Sequence, residues 1–313
     1  MKLNLDRFMA SVKTKREASS VFNGIWISRS AVGVGAGCEV KPIFGFGSAF
    51  CQERSDVSSV YELLERLVFL PSFHDRISLN NPVAFISDDK KARVGKKVVH
   101  QYLMGSMGPK GVFYANGCAV STDIQCAIDH SKRELVERHL CCEIWYRRAR
   151  SVFPYSKFKI DTFSSDIKIA LYTTDVVPEG ELIIASLDSA EDGFFALGAA
   201  VRSNIQDACE HAVCEVVMLF EDVKKKRIVG NSTDQSRSNM LSLREANASR
   251  RRRAYFESLI THDLLKTSYN PPLCETIVFE PLPTIYAARS FSVDLLDPRE
   301  FDDRDDIPLL PLF

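Results

Sequence analysis

Apolar and polar positions along this chain follow two different periods, and together they predict an α+β fold with mixed sheets packed against helices. Short β-branched or apolar runs, separated by turn residues, predict strands within residues 21–50, 82–89, 111–120, 167–177, 181–189, 194–201, 275–282 and 285–296. Longer segments predict helices at about residues 56–70, 123–150, 205–226 and 241–267. No linker divides these elements, so we expect a single domain that covers residues 1–313.

The composition indicates an ordinary globular protein and excludes several functional classes. The chain is 45% hydrophobic, which is enough for a large core, yet no apolar stretch reaches the length of a signal peptide or a membrane span. We therefore expect a soluble protein without a membrane partner. Nine cysteines form no C-x-x-C pair, which argues against a zinc ribbon and indicates a reducing, cytoplasmic location.

The charge balance sets a further limit on the partners. A formal net charge of -1 argues against nucleic acid, although basic runs occur at Lys224–Arg227 and Arg250–Arg253. We interpret both runs as solvated helix surface. A nucleic-acid binder that uses Arg250–Arg253 stays open as an alternative, which RNA and DNA binding assays would test.

An internal repeat carries the functional argument. A shift of 81 residues superposes the GCAV segment at Gly117 on the GAAV segment at Gly198, and it also superposes Glu134 on Glu215. A looser third copy lies upstream and begins at Gly47. The three copies predict three similar strand-helix units around a shared centre.

Two of the predicted helices carry nearly the same five residues, ELLER at Glu62–Arg66 and ELVER at Glu134–Arg138. Helical spacing brings the acids at positions i and i+3 onto one face, with the arginine at i+4 beside the first acid. One such pentad is usually a surface ion pair. Two pentads in matching contexts favour a functional centre, because acids crowded on facing helices repel one another unless a cation lies between them.

Magnesium is the cation that this pattern favours, since it takes carboxylate oxygens and completes its shell with phosphate oxygens. Arg66 and Arg138 would then contact phosphates by forked hydrogen bonds. No Walker A segment is present, so a nucleotide site must be built without a P-loop. His130 and His211 each lie one turn before a candidate ligand and could act as general bases or simply donate to the neighbouring glutamate.

These residues resemble a known family. The run Ser58–Arg66 resembles the S-x3-E-x2-E-R signature of the YcaO family. ANGCAV with the helix at Ala127–Arg138 resembles the second glycine-strand-helix block of that family, and GAAV with Ala208–Glu215 resembles the third. The core motifs lie within residues 44–220, and residues 241–313 add a helix, strands and a proline-containing tail.

The resemblance implies a YcaO-like fold with three strand-helix units around a central nucleotide site, and a reaction that depends on ATP and Mg²⁺. In that reaction a backbone amide oxygen of a ribosomally synthesised peptide is phosphorylated. Cyclodehydration of Cys, Ser or Thr to azolines, as in bacteriocin biosynthesis, is the leading expectation, and thioamidation is the alternative. The resemblance also implies a precursor peptide as substrate, a separate leader-peptide-binding partner protein, and a homodimer as a further option.

A residue-by-residue match to the family assigns three kinds of role. The implied magnesium ligands are Glu62, Glu65, Glu134, Glu137 and Glu215. The implied nucleotide contacts are Lys13, Ser20, Ser58, Arg66 and Arg138. The implied catalytic residues are Glu65, Glu137 and Phe313.

The sequence departs from the family pattern at two places. Cys126 stands where the family usually has an acid, with Asp123 one turn back. Met218 and Leu219 stand where a glutamine is common. These replacements motivate a second hypothesis, a non-catalytic YcaO-like scaffold or peptide-binding subunit.

Overall fold

The computed structural model of this chain shows helices alternating with antiparallel strands. The described residues are 5–36, 39–69, 83–87, 90–94, 117–147, 150–158, 160, 163, 165–174, 180–225, 246–260, 274–292, 307–308 and 310. Their α-helices are α1 (Leu5–Ser11), α2 (Gln52–Val68), α3 (Ile124–Cys142), α4 (Ile205–Lys224) and α5 (Ala246–Leu259). None of these helices has the length and apolar character needed to cross a bilayer.

The strands form three sheets in which every described ladder is antiparallel. In chain order they are β1 (Lys13–Ala18), β2 (Trp26–Ala36), β3 (Glu39–Ala49), β4 (Val83–Ser87), β5 (Lys90–Val94), β6 (Cys118–Ser121), β7 (Phe153–Tyr155), β8 (Ile167–Thr173), β9 (Glu181–Ser189), β10 (Phe194–Arg202), β11 (Glu275–Leu282) and β12 (Ile285–Phe291). The sheet orders are β1-β2-β3, β10-β9-β8-β7 and β5-β4-β11-β12-β6. The predicted α+β class is confirmed.

The structure adjusts two of the predicted helices. The long helix expected over residues 123–150 is α-helical only to Cys142 and continues as a π-helix over Glu143–Arg147. Of the last predicted helix, over residues 241–267, α5 covers Ala246–Leu259, and residues 241–245 and 261–267 lie outside the described residues. Residues 111–116 of one predicted strand and the predicted surface loop at 230–239 lie outside the described residues.

Three strands and one helix form a unit that occurs three times. We name them the first unit (β1, β2, β3 and α2), the second unit (β11, β12, β6 and α3) and the third unit (β8, β9, β10 and α4). In each unit the helix follows the last-named strand directly in the chain and packs on it. The second unit takes its other two strands from much later in the sequence, which the chain order alone does not reveal.

The three units close into a ring through their helices. Besides its own strands, α2 packs on β6 of the second unit, α3 packs on β10 of the third, and α4 packs on β3 of the first. Alternate residues of the middle strands therefore face different helices: Ala287 packs in the α2 cluster and Ala288 in the α3 cluster. Burial of apolar side chains at these interfaces stabilises the ring and holds the three helices around one centre.

Candidate functional site

One predicted ligand on each helix, Glu62, Glu134 or Glu215, is held by a backbone amide of the preceding strand. Phe46 N donates to Glu62 Oε2 at 2.7 Å, and Ala199 N donates to Glu215 Oε2 at 2.8 Å. The backbone amide of Cys118 donates likewise to Glu134. Donor and acid are 16 residues apart in all three units. The repeat inferred from sequence is therefore a repeat of hydrogen bonding as well.

A glycine immediately precedes each of these amide donors, at Gly45, Gly117 and Gly198. A Cβ atom at these positions would come within 2.1–2.4 Å of a backbone carbonyl oxygen, on the packed helix for Gly45 and Gly198 and on β12 for Gly117. Only glycine permits this close approach. The sequence repeat predicts Gly47 as the corresponding glycine of the first unit, but the structure shows that Gly45 is the equivalent position.

Arg138 joins the acids of two helices. Its Nη2 lies 3.2 Å from Glu215 Oε1 on α4 and 4.0 Å from Glu137 Oε1 on its own helix. Glu137 Oε2 accepts from Val201 N at 3.1 Å and lies 4.0 Å from Arg202 Nη1. Arg138 Nη1 is buried without a hydrogen-bond partner. The guanidinium thus bridges two units and keeps one donor for a further acceptor.

Arg66 plays a more local part on α2. It forms an ion pair with Glu62 one turn earlier, and its guanidinium lies over the ring of Phe46, 5.1 Å from the centroid. The same Phe46 supplies the amide that holds Glu62. One acid, one arginine and one aromatic ring are therefore locked together at the end of β3.

Burial and mutual repulsion raise the pKa of these acids. Burial is the largest cause for Glu134, whose pKa rises to about 8, and for Glu137, whose pKa rises to about 7. The pKa of Glu65 is raised well above its ordinary value by burial, then by Glu134 and Glu62. Burial also raises the pKa of Glu62, while Arg66 opposes the shift. Acids from α2, α3 and α4 therefore share one electrostatic environment.

Neighbouring acids stabilise the charged form of the arginine between them. Burial alone would lower the pKa of Arg138, but Glu215, Glu137 and Glu134 together raise it. Arg138 is therefore a permanent cation within an excess of carboxylates. Glu65 shows the cost of this crowding, because burial, Glu134 and Glu62 raise its pKa while the charge of Arg66 opposes the shift.

The donor set fits a divalent cation with a polyphosphate. In the described part of the chain, no three His, Cys, Asp or Glu side chains are grouped to hold a metal ion as they stand. Glu62 and Glu215 instead direct their oxygens to arginines and strand amides. The acids offer only oxygen ligands, as Mg²⁺ prefers, and burial raises the pKa of Glu62, Glu65, Glu134 and Glu137 because it makes their charged forms costly. The unpartnered Nη1 of Arg138 suits a phosphate oxygen.

The other predicted nucleotide contacts, Ser58, Lys13 and Ser20, lie at three separate positions in the structure. Ser58 is exposed on α2, one turn before Glu62, next to the predicted ligands. Lys13 is exposed at the start of β1, opposite Ala31. Ser20 donates through its amide to Glu221 Oε1 at 2.6 Å and through its hydroxyl at 3.0 Å. Ser20 therefore fastens the first sheet to α4, and its nucleotide role stays a prediction.

Phe313, the third predicted catalytic residue, lies outside the described residues. The segment before it is anchored on the π-helix. Trp145 Nε1 donates to the carbonyl of Pro308 at 2.6 Å, and Leu310 N donates to the hydroxyl of Tyr146 at 3.0 Å. The side chain of Leu310 is buried among apolar residues there. The proline-containing segment thus docks at the end of the helix that carries Glu137.

The two histidines lie in a basic environment. Partial desolvation, followed by the charges of Arg202 and Arg133, lowers the pKa of His130 to about 3 and that of His211 to about 4, although both side chains keep an exposed part. Both histidines are therefore neutral at physiological pH. Glu134 and Glu215 take their described hydrogen bonds from strand amides and Arg138, so the suggestion that each histidine donates to its glutamate finds no support.

The basic runs are less solvated than their charge suggested. Arg252 is only 3% exposed, and Arg253 pairs with Asp188. Lys225 pairs with Glu221 at 2.8 Å. Long basic side chains at these positions cover apolar surface and neutralise acids, so the interpretation of both runs as free helix surface is wrong in part. Arg250 and Arg251 remain exposed on α5, so the alternative of a nucleic-acid binder stays a prediction.

Residues that sequence reasoning missed are mainly backbone donors. The amides of Phe46, Cys118 and Ala199 orient the acids, and Arg202 adds positive charge beside Glu137. The sequence offers one signal for these donors, because Glu62, Glu134 and Glu215 each follow a glycine by the same number of residues. A strand amide carries no side-chain signature, so its role as a donor required the fold.

A ring of three strand-helix units around partly buried glutamates and arginines defines an α+β protein of the class found in solved YcaO structures. The family model described as YcaO cyclodehydratase, ATP- and Mg²⁺-binding, matches residues 102–273, more than half of the chain. This chain belongs to the YcaO family. The description of the family confirms the prediction of ATP and Mg²⁺ as cofactors.

Two solved structures share the fold at low identity. YcaO from Methanopyrus kandleri bound with AMPPCP and Mg²⁺ aligns with a TM-score of 0.59 and 11% identity, over 96% of this chain and 92% of that one. A heterocyclase in complex with substrate and cofactor aligns with a TM-score of 0.60 and 12% identity, over 92% of this chain and 50% of that one. This chain thus spans half the length of that heterocyclase. No curated protein matches the sequence.

Proposed function

We propose that this chain uses ATP and Mg²⁺ to activate backbone amides of a ribosomally synthesised peptide and closes Cys, Ser or Thr residues into azolines. One observation carries the proposal: acids from three helices share a buried centre around Arg138. The described family, an ATP- and Mg²⁺-binding cyclodehydratase, supports it. The fold shared with a heterocyclase bound to its substrate supports it further.

In this proposal the acids hold magnesium and the arginines hold phosphate. The proposed ligands are Glu62, Glu65, Glu134, Glu137 and Glu215. Magnesium bound there supplies positive charge that offsets the charge on the transferred phosphoryl group. Arg138 donates its free Nη1 to a phosphate oxygen, and Arg66 and Ser58 lie one helix away for further contacts. Glu65 and Glu137 are the acids to which we assign a catalytic role, as proposed ligands of the magnesium.

The proposed chemistry proceeds in two stages. First, the thiol or hydroxyl of a Cys, Ser or Thr adds to the preceding carbonyl carbon and loses its proton. The former carbonyl oxygen then attacks the γ-phosphorus of ATP, the bond to ADP breaks, and the oxygen becomes a phosphate leaving group. Second, phosphate departs while the amide nitrogen loses its proton, which forms the C=N bond of the ring. Positioning and electrostatic stabilisation account for most of the acceleration.

The test is phosphate release from ATP in the presence of MgCl₂, a candidate precursor peptide and its partner protein. We expect Glu65→Gln and Glu137→Gln each to reduce turnover by at least about 100-fold. Glu53→Gln is the matched control, because Glu53 is an exposed acid in the first turn of α2. Equal turnover in the wild type and both centre variants would contradict the assignment.

Thioamidation is an alternative outcome of the same activation, with external sulfide in place of the side-chain nucleophile. Mass spectrometry of the product separates the two chemistries. An azoline appears as the loss of one water for each ring, whereas a thioamide appears as the exchange of oxygen for sulfur. The peptide substrate, a separate leader-peptide-binding partner, homodimer formation and a cytoplasmic location remain predictions that accompany both chemistries.

A non-catalytic scaffold is the second candidate function. It is favoured by the third unit, where Met218 is 8% exposed and Leu219 is 1% exposed, so apolar packing replaces polar ligands. Cys126 is exposed in the first turn of α3, where it cannot supply a carboxylate. A scaffold would bind peptide and partner without hydrolysing ATP. Calorimetry with peptide, combined with the phosphate-release assay, distinguishes the two functions.

A further inference from the structure

Buried hydroxyl groups connect the second sheet to the helix it supports. Thr276 Oγ1 lies 2.8 Å from Ser290 Oγ, and Ser290 Oγ lies 2.7 Å from Ser131 Oγ on α3. Ser131 donates to the carbonyl of Ile128 at 2.9 Å. Ser131 is located three residues before Glu134, and all three hydroxyl residues are buried.

The first unit contains the same arrangement at equivalent positions. Thr14 Oγ1 lies 2.8 Å from Ser30 Oγ, and Ser30 Oγ lies 2.7 Å from Ser59 Oγ on α2. Ser59 donates to the carbonyl of Asp56 at 2.8 Å, again three residues before its acid, Glu62. Strand register agrees, since Thr14 pairs with Ser30, as Thr276 pairs with Ser290 in the second unit.

Each hydroxyl chain has one direction. A serine or threonine hydroxyl carries a single proton. Because Ser131 donates its proton to a helix carbonyl, Ser290 must donate to Ser131, and Thr276 must donate to Ser290. The same argument orders the first unit. A chain in which every buried hydroxyl is satisfied in one direction favours a single placement of helix on sheet.

The third unit has apolar residues at the three equivalent positions. Leu171 pairs with Ala185, which pairs with Gly198, and Ala212 occupies the helix position three residues before Glu215. Leu171, Ala185 and Ala212 belong to one apolar cluster. The helix of this unit carries a single acid at the centre, whereas each helix with a hydroxyl chain carries two.

We propose that the two hydroxyl chains are positioning devices that hold α2 and α3 in register on their strands against the repulsion of their paired acids. Apolar contacts are non-directional and allow small sliding movements, whereas short hydrogen bonds penalise them. The chain in the second unit thereby keeps Glu134 on the amide of Cys118. This inference rests on the proposed function only in giving these acids a role with magnesium.

The first test compares single and combined variants of the second chain. Ser131→Ala interrupts the chain and leaves partners unsatisfied, so we expect it to lower stability. A triple variant, Thr276→Val with Ser290→Ala and Ser131→Ala, copies the apolar pattern of the third unit and should recover most of that stability. Thr276→Ser keeps the hydroxyl and should behave as the wild type.

Amide hydrogen exchange, resolved by NMR, reports the positioning itself. We expect exchange at the Cys118 amide to accelerate about 10-fold in both Ser131→Ala and the triple variant, because the bond to Glu134 opens more often. The amide of Ala199, which holds Glu215, serves as an internal control and should not change. Ser186→Ala, which removes a buried serine of the third unit, should leave exchange at Cys118 unchanged.

Binding of Mn²⁺, followed by electron paramagnetic resonance with ATP present, gives a second readout. We expect the half-saturating Mn²⁺ concentration to rise about five-fold in the triple variant, as for the loss of one net hydrogen bond. Wild-type exchange at Cys118 in the triple variant would overturn the positioning role, whatever the catalytic result. If the wild type binds no Mn²⁺ and hydrolyses no ATP while exchange still responds, the proposed function fails and the positioning role stands.

Discussion

The second and third units share one backbone frame but contribute unequally to the centre. In both, a glycine precedes an amide donor, which holds Glu134 in the second unit and Glu215 in the third. The helix of the second unit then continues with Glu137 and Arg138, whereas that of the third continues with Met218 and Leu219. The repeated feature is thus the backbone hydrogen bond, and the variable feature is the side chain one turn later.

This difference shows that one unit can neutralise an acid that belongs to the neighbouring unit. Glu215 has no arginine on its own helix, and its partner is Arg138 of the neighbouring unit. The ring contact between α3 and α4 therefore replaces a pair that the third unit lacks. A unit can lose its second acid and its arginine provided that the adjacent helix neutralises the acid that remains.

Removal of Arg138 should take away the cation that Glu137 and Glu215 share, and it should have the largest effect on the free energy of unfolding. Arg138→Met leaves Glu137 and Glu215 buried without their cation, so we expect unfolding free energy to fall by about 3 kcal/mol or more. Arg138→Lys keeps the charge but loses the bridging geometry, and should lose less. Urea unfolding without Mg²⁺ measures both variants, and equal stability of Arg138→Met and the wild type would contradict the bridge.

The shared backbone frame can be broken at Gly198. A Cβ atom there would lie 2.3 Å from the carbonyl oxygen of Ala212, so Gly198→Ala should cost about 2 to 3 kcal/mol by separating β10 from α4. Gly24→Ala is the control, since nothing lies within 4 Å of its Cβ position and only its positive φ is strained. Chemical unfolding should rank the control above Gly198→Ala, and the reverse order would refute the close approach.

Met218 in the third unit occupies the position of the second acid in the other two units. Met218→Glu gives the third unit the paired acids of the other two, whereas Met218→Gln adds a polar group without charge. Without Mg²⁺ we expect the glutamate variant to be about 2 kcal/mol less stable than the glutamine variant, because another buried charge joins the centre. MgCl₂ should narrow that gap in thermal unfolding. If the stability difference between the two variants does not change with MgCl₂, position 218 lies outside the metal environment.

The pH dependence of stability gives the smallest effect. The folded-state pKa of Glu137 is raised from an ordinary value of 4.5 to about 7, chiefly by burial, so the folded state binds more protons than the unfolded state between these values. The associated stability is fully present below pH 4.5 and is lost as pH rises through about 7. Relative to Glu137→Gln, wild-type stability should therefore fall by at least about 1.4 kcal/mol across that window.

That measurement uses Mg²⁺-free buffer and the melting temperature at several pH values. Addition of MgCl₂ at pH 8 should restore wild-type stability, because bound cation offsets the carboxylate charge. Glu53→Gln should follow the wild-type profile, since Glu53 is exposed on α2. A difference between wild type and Glu137→Gln that grows in the opposite direction with pH would contradict the raised pKa.

The local elements, the repeat and the positions of the paired acids could be predicted from the sequence. Strands with β-branched runs and helices with apolar spacing are local patterns, so α2 and α4 lie within a few residues of their predicted bounds. The spacing of Glu62–Arg66 and Glu134–Arg138 placed two acids and an arginine on one helix face before any fold was known. Such information survives in sequence because helical geometry is the same in every protein.

The strand partners that complete each unit, and the contacts that join the units, are visible only in the tertiary structure. The second unit pairs β6 with strands from residues 275–291. A local sequence pattern does not predict a partner strand so distant in the chain. The pairing of Arg138 with Glu215, and of Ser131 with Ser290, joins residues far apart in sequence. These contacts depend on packing between separate elements, which a periodicity within one element does not encode.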